Sequence, residues 1–404
     1  AAPVFPYSIG DAHLENFGTL QGRDGTLAIE ANDLDSADRY PYLVEVRRLA
    51  ISVVVATRLS NADDEDARAI AIASQRDNAY QLGRSYAETI AAIAEGAERE
   101  PQLGGGGSPV LLDLFERAQE DLVDRSELSE VTTVEDGKRR LVRGSIDEDA
   151  PENLYADAPP IALDALPATI ERYRATIADP PPAEFFALKD AVREFGSGVA
   201  SWPRARFILL VEGPTTELDD DVLLEVKEIG DSGARPASFT GVSSDDIGAR
   251  VLRARTTCWT RSDAEPLWGM SELLGLTVQI KRESKAEKSL RVRRLEEDEG
   301  TPEAMAALST DLGRFLANVH AGSESLEPGT VAAIAHAIGD DIDAFANEQA
   351  DAAVAYADIV IADHARFVHA LETLGPTLGT EPTEGDGYRD DVADLIGEPP
   401  EGAP

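Results

Sequence analysis

Gly10-Asp11-Ala12-His13-Leu14-Glu15-Asn16, followed a short hairpin later by Asn32-Asp33-Leu34-Asp35, is the stretch on which the reading of this chain turns. The order of acids and amides is the one that phosphoryl transfer from a magnesium-bound nucleotide requires. Asp11 would accept a hydroxyl proton, Asn16 would hold a metal, and Asp33, with Asp35 beside it, would complete the metal site. His13 is expected to buttress the loop by hydrogen bonds rather than to touch phosphate. Between the two strings, Phe17 to Leu20 and Thr26 to Glu30 are short extended runs around Gln21-Gly22-Arg23-Asp24-Gly25. A hairpin there returns the second Asp to the edge that carries Asn16. With 76 acids in 404 residues, Asp33, Asp35 and Asp38 taken alone would be read as a solvated acidic face. The whole pattern, Gly-Asp-x-His-x-x-Asn, hairpin, Asn-Asp-x-Asp, is far harder to obtain by accident.

A second cluster lies far downstream. Glu194-Phe195-Gly196-Ser197-Gly198-Val199 is expected to turn between two strands, and Lys227, in Leu223-Leu224-Glu225-Val226-Lys227-Glu228, sits on the next. A glycine-rich hairpin followed by a strand lysine covers and pairs nucleotide phosphates, the glycines letting backbone amides approach closely. Gly-x-Gly alone reads better as a bare turn. Lys227 stands out by scarcity: only six of the 37 basic residues are lysines, and this one is flanked by apolar strand residues. Other candidates read as structure. His320 closes an apolar-faced helix as a packed or capping residue, His336, His364 and His369 have no carboxylate framework, and Trp202, Trp259 and Trp268 are core or packing residues.

Composition bounds the rest. The 43% hydrophobic content suffices for a sizeable core, split between two lobes or domains. A formal net charge of −39 with few lysines suits a protein dissolved in concentrated salt, and a salt-loving archaeon is the expected source. Such a field repels nucleic acid and anionic membrane, so neither is an expected partner. One cysteine, Cys258, excludes an internal disulfide and gives no zinc site. No long apolar run and no basic-then-apolar start occur, so neither a membrane span nor a signal peptide is expected, and the cytoplasm is the expected location. The chain opens Ala1-Ala2-Pro3 without Met and reaches its main motif within ten residues, from which a removed upstream segment is expected.

Along the chain, three-and-four spacing predicts a helix over Tyr42 to Leu59 and an Ala-rich one over about Asp64 to Gly96, ending before a flexible joint at Gly104 to Ser108. Residues 124–160 read as an irregular or partly strand-forming insertion. Pro180-Pro181-Pro182 is the preferred boundary. Phe185 to Phe195, Ala205 to Glu212 and Val222 to Ile229 read as an antiparallel sheet, Ser243 to Thr257 as a helix, and Leu276 to Arg282 and Leu290 to Leu295 as strands. Helices are predicted over Pro302 to Ala321, Thr330 to Asn347 and Asp351 to Leu371, and 373–404 as a disordered acidic tail. The expected organisation is therefore residues 1–180 with the catalytic loop and most of a helical lobe, a small β-rich lobe over 181–295, and helices returning to the large lobe over 296–372.

Taken together, Gly10 to Gly18, Ile29 to Asp35, Glu45-Val46-Arg47-Arg48-Leu49-Ala50, Gly196-Ser197-Gly198, Val226-Lys227-Glu228 and Leu312 to Ala321 resemble the prokaryotic family called domain of unknown function 2252, over roughly residues 7 to 372. That family is grouped with protein-kinase-like folds, near aminoglycoside and choline phosphotransferases. The resemblance implies an α+β, protein-kinase-like two-lobe fold using ATP and magnesium. It implies Asp11 as the base, Asn16 and Asp33 as metal ligands and Lys227 as the phosphate lysine. The order of parts, catalytic loop first and glycine loop some way after, implies a circular permutation, tolerable because termini of compact domains lie close together. Where relatives carry a Glu on the helix after the lysine strand, this chain has Arg253. The expected function is an ATP- and magnesium-dependent phosphotransferase for a small hydroxylated or amino-bearing molecule. The missing Glu argues for the alternative, a nucleotide-binding pseudokinase with weak or no turnover. Asp-x-His also opens two-metal phosphoesterase sites, but no Gly-Asn-His string follows to complete one.

Overall fold

The computed structural model describes residues 3–59, 65–104, 107–124, 126–146, 153–196, 204–230, 246–295 and 300–375. It is α+β, and every strand pairing among those residues is antiparallel.

The helical body is built on long amphipathic segments. Tyr42–Leu59 buries Val46, Leu49, Ala50, Val53, Val54 and Thr57 at three-and-four spacing, as one face of a helix requires. It packs with Glu65–Ala94, Pro302–Ala321 and Ile342–Leu374. Pro302–Ala321 starts where Thr301 accepts a hydrogen bond from the Ala304 amide and Pro302 supplies a fixed φ. Its Gly313 allows near contact with the neighbouring helix, since a Cβ there would stand 2.3 Å from the Leu82 carbonyl oxygen.

The main sheet has seven strands in the order Gly269–Leu273, Leu276–Arg282, Val222–Glu228, Arg206–Val211, Leu188–Phe195, Leu154–Asp157 and Gly144–Ser145. Its members upstream of Pro180 come from the segment read as an insertion, and helix Pro160–Arg174 packs on the same sheet. Strand alternation gives the two faces different chemistry. Phe207, Leu209, Leu224, Val226 and Ile280 turn toward that helix and form one apolar core. On the opposite face Val192, Ile208, Leu210 and Leu223 are apolar, but further along the strands the same face carries Arg206, Glu225, Lys227 and Lys281. That charged end looks toward the acidic loop of the helical body.

Two segments differ from the sequence reading. Leu290 to Leu295 is not a strand: residues 286–290 run along the hairpin, with Thr19 and Leu290 amides donating to Lys288 and Phe17 carbonyls at 2.8 and 3.0 Å, and Val292–Arg294 then forms one helical turn. The helix break expected after Asn347 falls instead at Gly339, where Thr330–Ile338 ends with φ +82° and Asp341 caps Ile342–Leu374. The tail expected over 373–404 starts later, since Thr373 and Leu374 still belong to helix Ile342–Leu374; residues 376–404 lie outside the described residues. No helix among the described residues is long and apolar enough to cross a membrane.

Candidate functional site

Strands Phe17–Gln21 and Leu27–Ala31 pair in register from Phe17↔Ala31 to Gln21↔Leu27, so Asn16 and Asn32 leave the hairpin side by side. The Asn32 amide donates to the Asn16 carbonyl at 3.2 Å. Upstream, Gly10 has φ +85°, and a Cβ there would lie 1.9 Å from the Ser36 carbonyl oxygen, so only glycine lets this loop pass the acidic one. The loop is held from below by a buried chain. Glu45 accepts from the Ile9 and Gly10 amides at 3.0 and 2.6 Å, His320 Nε2 meets Glu45 at 3.0 Å, and Tyr86 Oη meets His320 Nδ1 at 2.7 Å.

Across the gap, Lys227 projects from its strand into the acidic loop. Its Nζ lies 2.7 Å from Asp35 Oδ2 and 3.4 Å from Asp33 Oδ2, and Asp33 Oδ1 accepts from the Asp35 amide at 3.0 Å. The two groups that the sequence separates by almost two hundred positions therefore meet in one place. Burial opposes the charge on Asp33, yet Lys227 and the Asp35 amide outweigh it and hold Asp33 at about 2. Burial and the Asp33 charge push Asp35 up to about 6, against Lys227.

Lys227 and Asp33, but not Asp35, line a cavity of roughly 310 Å³ whose wall also includes His13, Asn16, Glu225 and Lys281. Its floor is a charge lattice on the sheet. Arg206 Nε lies 2.6 Å from Glu225 Oε1, and Lys281 Nζ lies 2.6 Å from Glu287 Oε1 and 4.0 Å from Glu225 Oε2. Burial disfavours the Glu225 charge, but Arg206, Lys281 and Lys227 hold it at about 2. Glu283 is pushed up to about 8, first by burial and then by the Glu225 charge.

Of the remaining positions that the sequence pointed to, Asn16 donates through Nδ2 to the Asp11 carbonyl at 2.8 Å and lines the cavity. Asp11 is outside the lining. Its Oδ1 pairs with Arg48 and its Oδ2 lies 3.7 Å from His13 Nε2. Burial leads in lowering the His13 pKa. Gly196 closes its strand with φ +90°, while Ser197 and Gly198 lie outside the described residues. Arg253 is exposed; the acids that face Lys227 are Asp33, Asp35 and, on its own strand, Glu225.

The sequence marked Glu45 and Arg48 only as part of a family-like string, without a role, and gave no role to Arg250 or the Arg206–Glu225–Lys281 lattice. Arg250 is fully buried and donates to the Ala37, Asp35 and Gly230 carbonyls, the latter two at 2.8 and 3.3 Å, tying the acidic loop to helix Ile247–Cys258. Lys281 carried the same signal of rarity that marked Lys227.

The acidic loop offers part of a donor set for a magnesium ion. Among the described residues no group of three or more His, Cys, Asp or Glu is arranged to hold a metal. Two carboxylates and an amide oxygen are nevertheless present, and Asp35 Oδ1 is buried without a hydrogen-bond partner. An orphaned buried carboxylate oxygen of this kind suits a hard cation. Asp33, Asp35 and Asn16 are the residues that could hold one.

No curated protein and no solved structure matches this chain. A family model described as "Uncharacterized protein conserved in bacteria (DUF2252)" matches residues 6–370. Spanning most of the polypeptide, from the acidic loop to the last long helix, that match means that the chain belongs to the DUF2252 family.

Proposed function

We propose that the polar cavity is the site of an ATP- and magnesium-dependent phosphotransferase with a permuted, protein-kinase-like two-lobe arrangement, acting on a small hydroxylated or amino-bearing molecule in the cytoplasm. The observation that carries this reading is the meeting of Lys227 with Asp33 and Asp35 across the gap between sheet and acidic loop. A strand lysine opposite a metal-binding acid is the working pair of phosphoryl transfer. Lys227, released from Asp35, would pair with the nucleotide phosphates. Asp33, Asp35 and Asn16 would hold magnesium, which when bound neutralises charge on the phosphates. The acceptor's hydroxyl proton would pass to the Asp11 carboxylate as the oxygen forms its new bond to phosphorus and the bond to ADP breaks. The acidic exterior leaves nucleic acid and anionic membranes out of the partners.

A second reading, nucleotide binding without turnover, is favoured by one observation: Arg48 occupies the carboxylate that would take the proton. The test is transfer of labelled γ-phosphate from ATP to pooled small alcohols, amino alcohols and amino sugars. Labelled product in one pool, reduced on the order of 10²-fold or more in Asp11→Asn, is the expected result. Binding without transfer selects the second reading, and the absence of both contradicts the two together.

A further inference from the structure

A larger cavity, roughly 500 Å³, lies on the other side of the strand that walls the polar one. Ser284 lines both. Strand alternation sends Lys281 and Glu283 into the polar cavity and Arg282 into this one. The two chambers differ in chemistry. Among its wall residues this one has Leu122, Phe185, Val222, Pro266 and Leu267, the apolar surface typical of sites for small organic molecules, and its size is within their usual range.

Its charges are what decide the ligand class. Arg23, Asp121 and Glu127 also reach the wall but are committed elsewhere, Arg23 to Asp179 and Asp121 to Lys288, and Glu127 is not free either. Arg282 is held more loosely. Its side chain is three-quarters buried and ion-paired with the buried Glu265 at 3.8 Å, yet its Nε is buried with no hydrogen-bond acceptor among the described residues. A planar donor array held in a largely desolvated place without acceptors is costly unless a carboxylate or similar anion completes it. Asp220, on the short turn Leu218–Asp220 at the same cavity, likewise has no side-chain partner among the described residues. A simple anion would face Asp220, and a simple cation would face Arg282. One small molecule that carries a carboxylate, an ammonium and an apolar body satisfies all three parts of the wall.

We infer that this cavity is a second small-molecule site, and that it takes a free amino acid with a large apolar side chain, carboxylate on Arg282, ammonium toward Asp220 and side chain against Phe185 and Leu267. This is independent of the phosphotransferase reading, because the site shares only a wall with the polar cavity and needs neither nucleotide nor metal.

The test is calorimetric titration of the full chain, in molar potassium chloride without nucleotide, with L-leucine, L-methionine, L-phenylalanine, L-tyrosine and L-tryptophan in turn. At least one is expected to bind saturably, with a Kd below about 1 mM. For that amino acid, its amide, its deaminated acid, and the variants Arg282→Met and Asp220→Asn should each weaken binding by about tenfold or more. Asp220→Asn changes a partly exposed turn residue, so it keeps the test decisive if Arg282→Met does not fold. No saturable binding by any of the five overturns the inference, as does binding that the analogues and Asp220→Asn leave unchanged.

Discussion

Two carboxylates on one loop, Asp33 and Asp35, share a single ammonium and come out with opposite titrations. Lys227 and the Asp35 amide outweigh burial at Asp33, whereas burial and the Asp33 charge outweigh Lys227 at Asp35. Below its pKa of about 6, Asp35 carries a proton that a magnesium ion must displace; above it, the carboxylate is free to coordinate. Magnesium-dependent nucleotide affinity is therefore expected to rise with pH through about 6 and then level, with a limiting slope of about tenfold per pH unit on the acid side. Asp35→Asn should flatten that rise, and a titration series of both proteins checks it. A profile with the same slope in the variant would place the proton elsewhere. At this scale the sequence was readable where rarity or order marks a residue. Lys227 is rare and Asp11 to Asn16 are ordered. Glu45 and His320 were not legible as loop supports, because their meaning comes from burial against each other and against the Gly10 amide, which only the packed helices create.

Helix Ile247–Cys258 shows how an element rather than a residue sets the site. None of the candidate site residues lies on it, yet Arg250 reaches from it to three carbonyls on the two segments that flank Lys227 and Asp35. A lysine has neither the fork nor the reach to replace these bonds. Arg250→Lys is expected to lower stability by about 2–4 kcal/mol, as unpairing a buried hydrogen-bonded charge does. It should also weaken nucleotide binding through the displaced loop. Denaturant unfolding and a binding isotherm on the same preparation measure the two effects; a variant as stable as the parent would remove Arg250 from this role. Elements with strong periodicity were legible in advance, such as Tyr42–Leu59 and Pro302–Ala321, since an apolar stripe at helical spacing has one packed solution. The turn at Val292–Arg294 was not, because its buried Leu290 and Leu295 imitate a strand while the hairpin edge dictates the path. The sheet's upstream members were not legible either: Gly144–Ser145 and Leu154–Asp157 are too short to announce themselves and exist through pairing with Leu188–Phe195.

The molecule as a whole carries a net charge of −39, and its compact state works against that self-repulsion. Counterions screen charges separated by more than the Debye length, about 10 Å at 0.1 M and about 3 Å at 1 M salt. The melting temperature is therefore expected to rise by roughly 5–10 °C from 0.1 to 1 M potassium chloride. A thermal scan at stepped salt reads it directly, and a falling melting temperature would mean that interior ion pairs such as Lys227–Asp35, rather than surface repulsion, dominate the salt response. The polar cavity gathers bases in an acidic protein: Arg206, Lys227, Lys281 and Arg291 line it, facing the acids Glu15, Asp33, Glu225, Glu283 and Glu287. The most direct measurement is equilibrium binding of ATP to the whole chain in molar potassium chloride, with and without magnesium, for the wild type, Asp33→Ala and Lys227→Ala. Saturable, magnesium-dependent binding that both substitutions abolish is the predicted result. Absence of binding in the wild type, or binding that survives both substitutions, would contradict the account.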